Sequence, residues 1–205
     1  MGFGLVIIGY LSVIGFLPDS FIYYSWGIYI AVAGGLIMLA GFCSLQEYNI
    51  YFKIMKYITI VYILILLGFT PFVILKFNEE LIISFTLISK IIRICFMFVF
   101  HFFLLTGIMS LAKEIDNTKV EKKAKKNIYF TYIFFGAFVL ELFDIFDSSF
   151  IINMQIILFL AGLVYFIITL STIYSCYMRI TYEGHDEEID AKYDKIKQNK
   201  KKRKR

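Results

Sequence analysis

Long apolar runs, separated by short charged ones, leave this chain few ways to fold. Six such runs cover roughly residues 2–17, 21–43, 57–76, 80–112, 128–146 and 150–175. A helix needs about 20 apolar residues to cross a hydrocarbon layer about 30 Å thick. Inside that layer only helices and closed barrels satisfy every backbone N–H and C=O. Composition points the same way: 60% of the residues are hydrophobic and 18% charged, where average soluble domains have about 45–50% and about a quarter. The expected fold is an all-α integral membrane protein with about six transmembrane helices in a compact bundle. Residues 1–179 would form the transmembrane domain and 180–205 a charged, flexible cytoplasmic tail.

The first run is short. No basic stretch precedes it and no small-residue cleavage pattern follows, so it reads as a span and not as a signal peptide. In the following "LPDS", Pro18 breaks one helix, and Asp19 and Ser20 can open the next, as in a helical hairpin.

Charge sets the expected orientation. Of the 21 Lys and Arg residues, Lys53 and Lys56 lie between the second and third runs. Lys113, Lys119, Lys122, Lys123, Lys125 and Lys126 lie between the fourth and fifth, and the rest of the basic loop residues follow from Arg179 onward. The opposite connections hold only Lys76. Cationic loops stay in the cytoplasm, so both termini are expected there, in a cell membrane, with a bacterial cytoplasmic membrane the expected setting.

Lys90, Arg93 and His101 stand inside the fourth run, "LISKIIRICFMFVFH" (87–101). At 100° per residue they fall on one narrow stripe with Thr86 and Met97, unlike the broad polar face of a helix lying on a membrane surface. The fifth run supplies opposite charges near its outer end, with Glu141, Asp144 and Asp147 in "LELFDIFD". A lone charge at the bilayer centre costs from about 3 to more than about 10 kcal/mol. Pairing Lys90 and Arg93 with Glu141 and Asp144 would remove most of that cost, and Asn153 and Gln155 could extend the cluster. One reading makes the cluster helix-to-helix glue; the other makes it a substrate or ion site, with His101 as a proton relay deeper along the path. The fourth run is also too long for a single upright span. It must tilt, protrude or break, for instance into an outer-face helix over 80–92 and a span over 93–112.

Other features suggest packing. Gly34, Gly35 and Gly41 form a small-residue surface suited to close helix contact. Pro71 is placed to kink the third span. "GFCSLQE" (41–47) and "GIMSLAKE" (107–114) end alternate spans, with Gly68 and Gly136 at matching depths beyond them. A two-helix repeat is conceivable, but a vocabulary shared by all membrane helices explains these similarities as well. Cys43, Cys95 and Cys176 are widely spaced in apolar runs and read as free thiols.

The tail is acidic over "TYEGHDEEID" and then basic, ending in Lys200, Lys201, Lys202, Arg203, Lys204 and Arg205. Six consecutive cations beside a membrane favour contact with an anionic leaflet, at about 1 kcal/mol for each cation near the surface. Nucleic-acid binding is the weaker rival, since the run has no interleaved aromatics. No P-loop, nucleophile-elbow, zinc-protease or calcium-loop pattern occurs. No catalytic residue, metal ligand or cofactor is assigned. The leading functional expectation is a non-catalytic membrane module for scaffolding, assembly or sensing, with a membrane-protein partner as one possibility. The alternative is a small secondary transporter or channel subunit using the charged outer-half cluster.

Overall fold

The computed structural model describes residues 2–12, 25–74, 79–142 and 148–181. These form six α-helices: α1 (Gly2–Tyr10), α2 (Ser25–Leu45), α3 (Ile50–Ile74), α4 (Glu79–Glu114), α5 (Thr118–Leu142) and α6 (Ser148–Cys176). α6 runs on into a π-helical turn at Tyr177–Thr181. The described residues contain no strand. Ile50–Gly68 in α3, Ile94–Glu114 in α4 and Leu160–Arg179, from α6 into the π-helical turn, are each long and apolar enough to cross a membrane. The "LPDS" turn and the tail beyond residue 181 lie outside the described residues.

Each helix packs on the next in sequence, and α6 closes back onto α1, so the six form a ring. Neighbours run antiparallel: Gly2 lies against Gly41 and Leu45, Gly9 against Gly34 and Met38, and Gly107 against Phe52. This succession gathers the start of α1, the α2–α3 and α4–α5 turns and the end of α6 at one end. Lys53, Lys56, the lysines of residues 113–126 and Arg179 share it, and it is called the basic end below.

Both turns at this end are specified by local chemistry. Asn49 caps α3, its Oδ1 accepting from the Tyr51 N–H at 3.0 Å. At the other turn Asp116 takes a left-handed backbone with φ 59°. The Asn117 N–H then reaches the Ala112 carbonyl at 2.9 Å and the Asp116 N–H reaches Lys113 at 3.3 Å, which together terminate α4. Asn117 at once begins α5, its Oδ1 accepting from the Val120 N–H at 3.3 Å. Three residues, Ile115 to Asn117, thus end one helix and start the next.

α4 settles the question of the long fourth run. It is one continuous helix of 36 residues, about 54 Å long at 1.5 Å per residue. Nothing between Glu79 and Thr106 would break it, because the stretch contains neither Pro nor Gly. α3 likewise continues through Pro71 to Ile74.

The closest packing joins α1 to α2. A Cβ at Gly41 would sit 2.7 Å from the Gly2 carbonyl oxygen, and one at Gly9 would sit 2.6 Å from that of Gly34. These are backbone contacts that cannot swing aside, so the small-residue surface expected on α2 is used, with α1 as its partner. Gly68 and Gly136, which suggested a repeat, both face open space. Buried Phe3, Phe42, Phe52, Phe100, Leu104 and Ile108 fill the interior toward the basic end. Outside, large apolar side chains such as Leu64, Ile133 and Ile167 are more than 60% exposed. A water-facing surface rarely carries so much contiguous apolar area, and an acyl-chain environment accommodates it.

Gly41→Ala should therefore lower thermal stability in detergent by about 1–3 kcal/mol, the usual cost of overpacking. Gly68→Ala should be neutral or slightly stabilising. Thermal unfolding of the two variants beside the parent chain checks this; equal effects would mean that the α1–α2 contact is looser than described.

Candidate functional site

The expected charge cluster is covered only in part. Lys90 and Arg93 fall on α4 and Glu141 on the last turn of α5. Their side chains lie outside the described residues, as do those of Asn153 and Gln155, the whole of Asp144, and Lys200 to Arg205. The neighbouring register can be followed. Phe98 and His101 on α4 meet Phe135 on α5, and the same register carried along both helices brings Arg93 level with Glu141.

His101 is fully described, and it occupies the middle of the ring. It is 1% exposed. Four aromatic rings surround it, those of Tyr10, Phe100, Phe135 and Tyr165, with centroids 5.1–6.1 Å away. Its Nδ1 lies 2.7 Å from the Met97 carbonyl one turn back. A carbonyl only accepts, so Nδ1 carries the proton. The neutral ring then accepts at Nε2, where the Tyr10 hydroxyl donates across the bundle at 2.8 Å. Tyr10 is held by stacking on Phe166 of α6 at 5.3 Å and on Phe100 of α4 at 6.3 Å. One tyrosine from the shortest helix thus ties α1, α4 and α6 together.

A second polar group runs along the seam between α5 and α6. α5 presents Lys123, Asn127 and Thr131 at i, i+4 and i+8; α6 opposes them with Ser175, Ser171, Thr172, Thr169 and Tyr165. The Asn127 Nδ2 donates to Thr169 Oγ1 at 3.1 Å and to Thr172 Oγ1 at 3.4 Å. Thr131 donates to the Asn127 carbonyl at 3.0 Å and lies 2.7 Å from the Tyr165 hydroxyl. Its proton being committed to that carbonyl, the Tyr165 O–H donates to Thr131. The Thr169 hydroxyl lies close to the phenols of Tyr10 and Tyr165, linking the seam to the His101 centre. Among the described residues the Asn127 Oδ1 is the buried side-chain atom left without a partner. At the basic end Lys123 completes the seam on Ser171 and Ser175.

Tyr10, Asn127, Thr131, Tyr165, Thr169 and Thr172 were not foreseen as a group. Their signal is a polar residue every third or fourth position in "KNIYFT" and "YFIITLST", which places hydroxyls and an amide on one face of each helix. Within the seam the proton paths stop quickly. The chain from Tyr10 through His101 ends on the Met97 carbonyl, and the one from Tyr165 through Thr131 ends on the Asn127 carbonyl. A carbonyl accepts a hydrogen bond without passing a proton onward, so in this arrangement both chains fasten one helix to another. Among the described residues no three His, Cys, Asp or Glu side chains gather as a metal site. Comparison with family models, curated proteins and solved structures returns no match.

Tyr10→Phe leaves a buried imidazole nitrogen without its donor, and the destabilisation should be about 1–2 kcal/mol. Tyr10→Phe combined with His101→Leu should cost less than the two single effects added together. A double-mutant cycle read by thermal unfolding in detergent measures the coupling; strict additivity would show that the bond contributes nothing to stability.

Proposed function

We propose that the chain is a six-span membrane protein, with both termini cytoplasmic, acting as a non-catalytic module in scaffolding, assembly or sensing. In this reading its basic end meets the anionic leaflet or a membrane-protein partner. The observation that carries it is the filled centre. The Tyr10, Phe100 and Phe166 rings stack across the middle of the ring of helices, and the polar chains beside them end on backbone carbonyls. Such a core supports a bundle sealed in its cytoplasmic half.

The distribution of aromatics supports the orientation. Lys56 stands over Tyr57, with its Nζ 5.9 Å from the ring centroid, and Lys126 stands over Phe130 at 5.7 Å. Exposed Tyr129, Tyr132 and Tyr174 lie nearby in sequence or on the adjoining helix. Cations beside tyrosines and phenylalanines mark a headgroup boundary, and an excess of Lys marks its cytoplasmic side. An impermeant thiol reagent should label a cysteine placed at Lys200 only after the membrane is opened.

The second reading, a small transporter or channel subunit with its site at Lys90, Arg93, Glu141 and Asp144, is favoured by the level placement of Arg93 and Glu141. Paired charges that serve packing and charges that serve a solute respond differently to neutralisation. Removing one member of a buried pair costs about 3–5 kcal/mol, while apolar replacement of both is near neutral. Under the scaffold reading Arg93→Met lowers folded yield and Arg93→Met with Glu141→Leu restores it. Equal loss in the single and double variants, together with stabilisation of the parent protein by a particular anion, cation or amino acid, would support transport instead.

A further inference from the structure

On the outer edge of the α5–α6 seam, at the basic end, the cations Lys123 and Arg179 stand close enough to repel one another. Lys123 spends its three ammonium protons on neutral acceptors: the Ser171 carbonyl at 2.9 Å, Ser171 Oγ at 2.8 Å and Ser175 Oγ at 2.7 Å. Arg179 lies on the π-helical turn that continues α6, eight and four positions after Ser171 and Ser175. Among the described residues neither cation is paired with a carboxylate. For Lys123 the nearest acid in sequence, Glu121, lies two positions before it and therefore about 200° round the helix; Glu183, four positions after Arg179, lies outside the described residues. Partial burial, and then repulsion from Arg179, hold the Lys123 ammonium below the ordinary lysine range. Two like charges on one seam raise the local positive potential, and an anion between them would lower it.

We propose that this seam binds the phosphate of an anionic phospholipid headgroup, with Arg179 and the Ser171 hydroxyl donating to its oxygens and Lys123 supplying charge beneath. Arg179 is exposed and its planar fork suits a phosphate. The Ser171 oxygen accepts from Lys123, which leaves its own O–H free to donate outward. Further from the basic end, Phe130 on α5 and Ile167 on α6 are exposed, giving acyl chains an apolar surface to follow. That continuation distinguishes a lipid from free phosphate: the ionic contact and the apolar surface belong to one seam. The site rests on the reading that the basic end lies at a membrane surface, and it is separate from the polybasic run at Lys200 to Arg205.

Native mass spectrometry of the full-length protein in mild detergent, titrated with short-chain phosphatidylglycerol, phosphatidylcholine or inorganic phosphate, tests the site. Phosphatidylglycerol should bind in preference to phosphatidylcholine. Arg179→Gln should weaken it roughly five-fold, one cation's share near an anionic headgroup. Arg179→Lys, which keeps the charge, should recover most of the binding and serves as the folding control. A variant with Lys200 to Arg205 all changed to Gln should keep the preference and its sensitivity to Arg179. Unchanged affinity in a folded Arg179→Gln variant would overturn the proposal, and so would displacement of phosphatidylglycerol by inorganic phosphate at equal concentration. Binding in detergent is independent of orientation, so thiol labelling of the tail from outside intact cells would refute the cytoplasmic reading without touching this result.

Discussion

Tyr10 holds a position on which the remaining geometry depends. It stands at the end of a helix of nine residues, yet it touches two other helices: α6 through the Phe166 stack and Thr169, and α4 through Phe100 and His101. It can do so because Gly2, Gly9, Gly34 and Gly41 let α1 approach α2 at backbone distance. A side chain at Gly2, Gly9 or Gly41 would push α1 outward and withdraw the phenol from the imidazole. Close helix approach, aromatic stacking and one hydrogen bond therefore form a single cooperative unit. In lipid, where apolar contact between helices gains little over contact with acyl chains, such packing and hydrogen bonding carry association.

The polar side chains divide by depth. Among the described residues near the middle, neutral groups pair with one another, the Asn127 Oδ1 excepted, and their chains end on carbonyls. Toward the basic end the same stripe becomes ionic, with Lys123 held between two serines and Arg179 beyond. Hydrocarbon tolerates neutral hydrogen-bonded groups at modest cost and excludes ions, whereas the headgroup layer stabilises cations beside phosphates. One seam passing through both regions would be expected to change chemistry in this way. The scaffold and lipid-site proposals both rest on that gradient.

Much of the fold was legible in the order of the residues. The apolar runs match α1 to α6 to within a few residues at most ends, although α3 and α5 begin earlier than their apolar runs because their first turns are amphipathic and lysine-bearing. Gly34 and Gly41 signalled close packing, though nothing in their spacing named α1 as the partner. The neutral seam escaped notice for a physical reason: ionisable groups dominate any estimate of insertion cost, and Asn127, Thr131, Tyr165 and Thr169 have no charge to draw attention. Their meaning depends on which helices become neighbours, and the closure of α6 onto α1 is a tertiary fact. The continuity of α4 was open to either reading by length, and the absence of Pro and Gly over most of it proved the better guide.

The closure of the ring is the claim most directly open to measurement. A Cβ at Gly4 would lie 3.7 Å from the Tyr177 ring, although the two residues are at opposite ends of the six-helix chain. With Cys43, Cys95 and Cys176 replaced, a Gly4→Cys, Tyr177→Cys variant should be joined within one chain by a short bifunctional thiol crosslinker in native membranes. A pair of cysteines at Gly4 and Gly68 should not be joined. Equal yield of the short crosslink in both pairs, or none between positions 4 and 177 in folded protein, would contradict a closed six-helix ring.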